Sequence, residues 1–176
     1  MLRVAILTIS DSAVAGTRPD RSGVALRERV EALGWQVASH DVLPDEADHI
    51  AAKLSELADG STVEVVLTTG GTGIAARDVT PEATRMVIDK EIPGISELMR
   101  SEGRKSTPLA VLSRGVAGWR KSTLIINFPG SPKGAVESFD AVANLAPHIV
   151  DLLHGRTQHG PGTPGGPIQS RIEDVR

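Results

Sequence analysis

The segment Gly70-Gly71-Thr72-Gly73 has the composition of a loop that binds an anion. Glycines allow backbone N–H groups to approach a phosphate with no Cβ in the way, and they accept the positive φ angles that such a loop requires. A few residues later, Arg77 could donate two hydrogen bonds to phosphate oxygens, and Asp78 could hold a hard cation beside them. These residue types predict a site for a phosphorylated ligand.

Two known phosphate-binding motifs match this loop poorly. A P-loop requires a lysine and then Ser or Thr at the start of the helix, and no lysine follows these glycines. Gly71, Gly73 and Ala76 satisfy a loose dinucleotide-binding pattern. However, with Thr80 as the predicted N-cap and Pro81 at the first helical position, the helix begins too late for that turn. A glycine turn without a ligand is the alternative.

Three other predicted strands also end in polar loops. These loops are Ser10-Asp11-Ser12, Pro44-Asp45-Glu46 and Pro129-Gly130-Ser131-Pro132-Lys133. The carboxyl ends of parallel strands lie along one edge of a doubly wound sheet, and such folds bind their ligands at that edge. We therefore expect the four loops to converge on one site, which makes a purely structural role for the glycine turn less favoured.

Two further places in the sequence are candidates for anion contacts. Ser131 and Pro132 repeat the arrangement of an N-cap followed by proline, so Lys133 would stand beside a helix N-terminus, where anions bind. The alternative is a capped helix with an ordinary surface lysine. Ser113 and Arg114 end another apparent strand, and Arg114 could add a further basic contact.

The elements that position these loops follow from the hydrophobic pattern. Strands are predicted at Arg3–Ile9, Trp35–Leu43, Glu64–Thr69, Leu109–Leu112 and Thr123–Phe128. Helices are predicted at Ser22–Leu33 with Ser22 as N-cap, at Asp45–Ala58, from Pro81, at Ile95–Glu102, and at Pro132–Leu153 with a break near Pro147. This alternation predicts an α/β fold of three layers, a doubly wound and mostly parallel sheet with helices on both faces and one strand that could be antiparallel.

Composition narrows the functional classes. The 176 residues suit one domain and contain no cysteine, which excludes disulfides and thiolate chemistry. A net charge of −3, two Phe, two Trp and no Tyr argue against nucleic acid as a partner. No apolar run approaches the roughly 18 residues of a membrane span, so we expect no membrane association and a cytoplasmic protein.

We expect residues 1–154 to form the domain. Residues 155–176 are rich in Gly and Pro, and we expect them to form a mobile tail.

Histidine chemistry is not indicated. The five histidines are not spaced as metal ligands, and no convincing Ser-His-Asp set is present; they are His40, His49, His148, His154 and His159.

The motifs SDS, PDE, TTGGTGIAARDVTPEAT, LSR and PGSPK occur in this order across the first 133 residues. In these motifs the chain resembles the molybdenum cofactor biosynthesis family, specifically the bacterial molybdopterin adenylyltransferases and their MoaB-type relatives. The resemblance implies transfer of AMP from ATP to the terminal phosphate of molybdopterin, with release of pyrophosphate. It also implies Mg²⁺, a homotrimer and a molybdenum-insertion enzyme as a partner.

The resemblance also implies roles for individual residues. Asp45 and Asp78 match the carboxylates assigned to catalysis and to the metal. Residues 70–73 and 129–133 match the nucleotide and phosphate loops, and residues 10–12 and 113–114 match parts of the pocket. Two alternatives stay open, a nucleotide pyrophosphatase or other hydrolase on the same fold and a non-catalytic molybdopterin-binding or scaffold protein. The presence of both Asp45 and Asp78 favours an active enzyme. A protein that only binds phosphates would gain nothing from two negative charges, because they repel phosphates unless a cation neutralises them.

Overall fold

The computed structural model describes residues 1–156, in which six strands form one sheet of order β2-β1-β3-β6-β5-β4. The strands are β1 Arg3–Ile9, β2 Gln36–Leu43, β3 Val65–Thr69, β4 Lys90–Glu91, β5 Ala117–Arg120 and β6 Thr123–Phe128. β2, β1, β3 and β6 are parallel, whereas β5 is antiparallel to β6 and to β4. Residues 157–176 of the predicted tail lie outside the part of the chain that the structure describes.

Helices cover both faces of this sheet, which confirms the predicted α/β fold. They are α1 Asp11–Val14, α2 Ser22–Ala32, α3 Ala47–Asp59, α4 Thr80–Val87, α5 Pro93–Gly103, α6 Pro132–Val142 and α7 Ala146–Leu153. One hydrophobic core joins the sheet to α2, α5, α6 and α7, and the other joins it to α3 and α4. No helix within residues 1–156 is long and apolar enough to cross a membrane.

The central strands β1, β3 and β6 are mostly apolar because both of their faces are buried, whereas the edge strands β2 and β4 are partly exposed and carry polar residues. In β1, Val4 and Ile6 enter the core beneath α2 and α6, while Ala5 and Leu7 enter the core beneath α3 and α4. Side chains of a strand alternate between its two faces, so one short apolar run supplies both cores. The loops that follow these strands are rich in polar residues and glycine, and this places the candidate site residues at the carboxyl edge of the sheet.

One predicted strand is wrong. Leu109–Leu112 belongs to a 3₁₀ helix that spans Pro108–Leu112, and Leu109 is 68% exposed. The run is short and follows a proline, and its apolar residues do not pack into either core. The antiparallel strand is instead β5, whose Gly118 and Trp119 gave only a weak strand pattern.

Helix ends also differ from the predictions in two places. Arg21, rather than Ser22, is the N-cap of α2, and Asp20 accepts a hydrogen bond from the Gly23 N–H at 2.8 Å. The long C-terminal helix is broken by a 3₁₀ turn at Ala143–Leu145, before Pro147. Pro147 lies in the first turn of α7, where its missing N–H costs no helical hydrogen bond.

A buried asparagine links the sheet to α4, and its loss should destabilise the protein strongly. The side chain of Asn127 donates to the hydroxyls of Thr68 at 3.0 Å and Thr84 at 2.9 Å, and it accepts from the Val116 N–H at 3.1 Å. Because Asn127→Ala leaves these groups unpaired in a dry core, we expect a loss of about 3 kcal/mol in the free energy of unfolding.

Urea denaturation monitored by circular dichroism measures this loss. The exposed Asn144 offers a control, since Asn144→Ala should change stability by less than about 0.5 kcal/mol. A loss below about 1 kcal/mol in Asn127→Ala would contradict the assigned role of the network.

Candidate active site at the carboxyl edge of the sheet

The loops after β1 and β2 are joined by two reciprocal hydrogen bonds. The Asp11 N–H donates to Asp45 Oδ2 at 3.0 Å, and the Asp45 N–H donates to Asp11 Oδ1 at 3.1 Å. In the first of these loops, Ser10 caps α1, and its hydroxyl lies 3.0 Å from that of Ser12. The carboxylates of Asp11 and Asp45 are thus held at fixed positions by backbone amides, as a preorganised site requires.

The glycine loop packs backbone against backbone on its neighbours. Gly70 and Gly71 have φ values of +103° and +63°, which disfavour any other residue. A Cβ at Gly70 would stand 2.2 Å from the carbonyl oxygen of Ile9, and a Cβ at Gly130 would stand 3.1 Å from the Cα of Gly70. The loops after β1, β3 and β6 therefore converge as the sequence predicts.

Thr80 has a different role from the predicted one. Val79 is the N-cap of α4, and Thr80 is the first helical residue. The hydroxyl of Thr80 is fully buried and donates to the carbonyl oxygen of Gly70 at 2.9 Å, while its N–H donates to Gly71 O at 3.1 Å. The prediction of an N-cap was wrong because the hydroxyl is used to tie the helix to the glycine loop.

Two cavities open at this edge. The first has a volume of about 630 Å³, and its wall includes Ser10, Ser12, Asp45, Gly70, Gly71 and Gly130. The second has a volume of about 450 Å³, and its wall includes Gly71, Thr72, Gly73, Asp78, Ser113, Pro129, Gly130 and Ser131. Gly71 and Gly130 line both cavities, so the backbone of these two glycines forms the boundary between them.

The two candidate catalytic carboxylates lie on opposite sides of this boundary. Asp45 lines the first cavity, and its Oδ1 would be 3.2 Å from a Cβ at Gly71. Asp78 lines the second cavity, where its Oδ2 would be 2.8 Å from a Cβ at Gly73 and accepts from the Ala75 N–H at 2.8 Å. Both carboxylates therefore flank the glycine loop, at positions two residues apart along it.

This donor set fits Mg²⁺ only if a ligand contributes. Within residues 1–156, no group of three or more His, Asp or Glu side chains is placed to hold a metal ion. Mg²⁺ usually takes one or two carboxylates and completes its shell with water and substrate phosphates. Asp45 and Asp78 are carboxylates of this kind beside an amide-rich loop, and their role as metal ligands stays a prediction.

The basic side chains that were expected to contact phosphate have protein partners. Arg77 forms an ion pair with Asp11 rather than with Asp78. Lys133 is 77% exposed, with its Nζ 3.7 Å from Glu137 Oε1. Arg77 and Lys133 line neither cavity, and their direct contact with a ligand stays a prediction. Ser131 is the N-cap of α6 as predicted, since its Oγ accepts from the Gly134 N–H at 3.2 Å.

Arg114 also bonds to the protein, and its partner is charged. Its guanidinium forms an ion pair with Glu82 in the first turn of α4. This hydrogen bond lowers the pKa of Glu82 and raises the pKa of Arg114 from their ordinary values. Both side chains are therefore charged throughout the neutral pH range.

The structure adds residues that the sequence did not single out. Arg18, Arg21 and Asp20, from the loop before α2, line the first cavity. Beneath them His40 Nε2 lies 2.9 Å from Asp20 Oδ2, and the Thr8 hydroxyl donates to the same oxygen at 2.7 Å. The only sequence signal was a polar, basic loop after a strand, and the pairing of Asp20 with His40 depends on the neighbouring position of β1 and β2.

Known proteins are similar to this chain in sequence and in fold. The profile of the family described as a probable molybdopterin binding domain matches residues 5–148. Molybdopterin adenylyltransferase of Helicobacter pylori strain J99 is 42% identical over 156 residues, covering 88% of this chain and 89% of that protein. The molybdenum cofactor synthesis protein cinnamon of Drosophila melanogaster is 43% identical over 84% of this chain, which spans 25% of the length of that relative.

A solved crystal structure of a related protein has a similar backbone fold. The molybdopterin biosynthesis enzyme MoaB from Thermus thermophilus has a TM-score of 0.83 and 50% sequence identity, covering 88% of this chain and 98% of that chain. The structure is that of a doubly wound α/β protein with two cavities at the carboxyl edge of its sheet. The chain belongs to the molybdopterin-binding-domain family of molybdenum cofactor biosynthesis proteins, and the resemblance seen in the sequence motifs is confirmed.

Proposed function

We propose that the protein is a molybdopterin adenylyltransferase, which transfers AMP from ATP to the terminal phosphate of molybdopterin and releases pyrophosphate. The observation that carries this proposal is the pair of cavities that share Gly71 and Gly130. A transfer between two phosphorylated substrates needs two binding sites whose reacting ends meet. The shared glycines offer such a meeting point, since they bring both cavities to one amide-rich backbone.

The reaction requires no covalent intermediate on the protein. A terminal phosphate oxygen of molybdopterin attacks the α-phosphorus of ATP, and the bond from that phosphorus to the bridging oxygen of pyrophosphate breaks. The pair of electrons leaves with pyrophosphate. Charge spreads over phosphate oxygens in the transition state, so catalysis depends on positioning and on fixed positive charge and dipoles. The backbone at Gly71–Gly73 is suited to this role, and Asp45 and Asp78 are fixed on either side of it.

A bound Mg²⁺ would neutralise charge on the phosphates of ATP during the transfer. Asp78 and Asp45 are the residues that would hold it. Without a cation, these carboxylates would repel ATP, so their position beside the glycine loop supports a metal-dependent enzyme. We include ATP and Mg²⁺ in the proposal on this argument.

One assay separates the proposal from its alternatives. Purified protein is incubated with molybdopterin, Mg²⁺ and ATP carrying a label on the α-phosphate, and the products are separated. Labelled adenylylated molybdopterin with equimolar pyrophosphate is the expected result. Label in free AMP would instead indicate a nucleotide pyrophosphatase. Binding of molybdopterin with no turnover of ATP would indicate a binding or scaffold protein.

We propose that the chain acts as a homotrimer in the cytoplasm and hands its product to a molybdenum-insertion enzyme. Several large apolar side chains are exposed on the single chain, among them Ile74, Met86 and Leu109 at 64% to 72%. Burial of such side chains between subunits would be favourable.

Light scattering after size exclusion should give three times the chain mass of 18.5 kDa at micromolar concentration. Each pairwise contact in a stable trimer should bury at least about 1,000 Å². A mass equal to that of one chain would contradict the trimer and leave the adenylyl transfer untouched, because both cavities are formed within a single chain.

A further inference from the structure

Arg114 contacts both ends of the segment Thr72–Asp78, which begins in the glycine loop and ends at the candidate metal ligand. Its backbone N–H donates to the carbonyl oxygen of Thr72 at 2.8 Å, and its Nε donates to that of Gly73 at 2.6 Å. Its Nη2 donates to the carbonyl oxygen of Asp78 at 2.6 Å. Arg114 therefore holds both the beginning and the end of the segment Thr72–Asp78, although it lies more than 30 residues further along the chain.

Glu82 fixes the guanidinium that makes these bonds. Arg114 Nη1 pairs with Glu82 Oε1, and Nη2 lies 3.2 Å from Glu82 Oε2, which gives a two-point contact between the planar groups. Glu82 lies in the first turn of α4, immediately after the loop. The pair consequently ties the loop to the helix that follows it.

These contacts leave Arg114 little capacity to bind a ligand. Four of the five N–H donors of a guanidinium are directed at Gly73, Asp78 and Glu82. Arg114 lines neither cavity, although Ser113 beside it lines the second. The sequence led us to expect a direct anion contact here, and the geometry favours a different role.

The loop itself has few other supports. Residues 74–77 are all exposed, and Ile74 has 72% of its surface in solvent. Within the loop, the Asp78 N–H donates to Ala75 O at 2.9 Å, and Asp78 Oδ2 accepts from the Ala75 N–H. These bonds shape the loop, but they do not attach it to the sheet.

Within residues 1–156, the attachments of the loop to the rest of the protein besides Arg114 are the hydroxyl and N–H of Thr80, the Gly70 N–H on Phe128 O at 3.1 Å, and the exposed ion pair of Arg77 with Asp11. Of all these contacts, only those of Arg114 and Arg77 hold the segment after Gly71 to the rest of the protein, and the Arg77 pair is the more exposed.

We propose that Arg114 and Glu82 are positioning residues, which set the place of the glycine loop and of the Asp78 carboxylate without touching either substrate. The expected effect on turnover rests on the proposed adenylyl transfer, but the effect on the loop does not. Hydrogen exchange of the amides of residues 73–79 in the ligand-free protein tests the loop directly, since it reports local opening.

In Arg114→Gln we expect faster exchange of these amides and a kcat about tenfold lower, with the KM values for ATP and molybdopterin within about threefold of the original. Arg114→Lys should recover only part of kcat, because an ammonium cannot make the forked contact. Glu82→Gln should change both readouts in the same direction. Its effect on kcat should be less than additive with that of Arg114→Gln, since the two residues act as one unit.

Arg120 provides the matched control. Its guanidinium also binds a carboxylate, Asp59, at 2.9 and 3.0 Å, and a carbonyl oxygen, that of Val87, at 3.0 Å, but it lies in β5 away from both cavities. Arg120→Gln should leave kcat and the exchange of residues 73–79 unchanged. The control therefore distinguishes the loss of the contacts with the loop from the general effect of removing an arginine that pairs with a carboxylate.

Two results would overturn the proposal. A tenfold or larger rise in the KM for a substrate, with unaltered exchange of residues 73–79, would show that Arg114 binds that substrate directly. Unaltered exchange and unaltered kinetics in both Arg114→Gln and Glu82→Gln would reduce the pair to an exposed ion pair of little value. If the unmodified protein transfers no AMP, the proposed function fails, and the exchange experiment still decides the role of Arg114.

Discussion

Asp78→Asn should lower the turnover of adenylyl transfer by roughly 10² to 10³, the scale seen when one preorganised electrostatic contact is lost. The substitution keeps the shape of the side chain, and its oxygen can still accept from the Ala75 N–H. It removes only the negative charge. Arg77 does not neutralise that charge, because Arg77 pairs with Asp11. A cation brought with ATP is therefore the neutralising group that we expect, and Asn would hold it poorly.

The dependence on Mg²⁺ distinguishes this explanation from simple damage to the loop. Turnover of Asp78→Asn should be measured at limiting and at saturating Mg²⁺, together with ATP affinity in the absence of metal. ATP should bind the variant at least as well as the original protein without Mg²⁺, since a repulsive charge has gone.

Asp89→Asn is the control for Asp78→Asn. Asp89 is exposed, accepts from the Lys121 N–H at 2.7 Å and lines neither cavity, so this variant should keep full turnover. Full turnover of a folded Asp78→Asn at both Mg²⁺ concentrations would remove Asp78 from the metal site and leave Asp45 as the remaining candidate.

The sequence predicted the edge of the sheet well because its signals are local. Apolar runs such as Arg3–Ile9 and Thr123–Phe128 are bounded by polar or glycine-rich loops, and a parallel arrangement brings those loops together. The positive φ angles of Gly70 and Gly71 are adopted readily only by glycine, so they could be predicted from the residue type alone.

The partners of charged side chains could not be predicted in the same way. The sequence shows that Arg77 and Asp78 are neighbours, but the fold places Asp11 closer to Arg77. Likewise, the role of Arg114 depends on Glu82, 32 residues away, and on carbonyl groups whose direction is set by tertiary structure. Residue type indicates what a side chain can bind, whereas its actual partner depends on contacts distant in sequence.

Short apolar runs were the other source of error. Leu109–Leu112 has the composition of a strand, and nothing in four residues distinguishes a strand from a turn of 3₁₀ helix. The run follows Pro108 and stays largely exposed, so its residues line the rim of the second cavity instead of the core. Such a segment is positioned by the neighbouring helix α5, not by its own pattern.

Gly73→Val should weaken ATP binding by more than tenfold and lower turnover by about 10², because two groups are displaced at once. A Cβ at this position would stand 2.8 Å from Asp78 Oδ2, which is closer than real Cβ contacts allow. The carboxylate must move, and the branched side chain would also separate the loop amides from an approaching phosphate. The φ angle of Gly73 is not in the left-handed region, so the backbone itself tolerates the change.

The circular dichroism spectrum of Gly73→Val should therefore remain near that of the original protein, with α4 still anchored by the hydroxyl of Thr80 on Gly70. Gly94→Val serves as the control, because a Cβ at Gly94 meets no heavy atom within 4 Å and Gly94 lines neither cavity. Isothermal titration with ATP and Mg²⁺ measures the affinity of both variants. Equal affinities in the two folded variants would mean that the loop only connects β3 to α4, and that phosphate is bound elsewhere on the edge of the sheet.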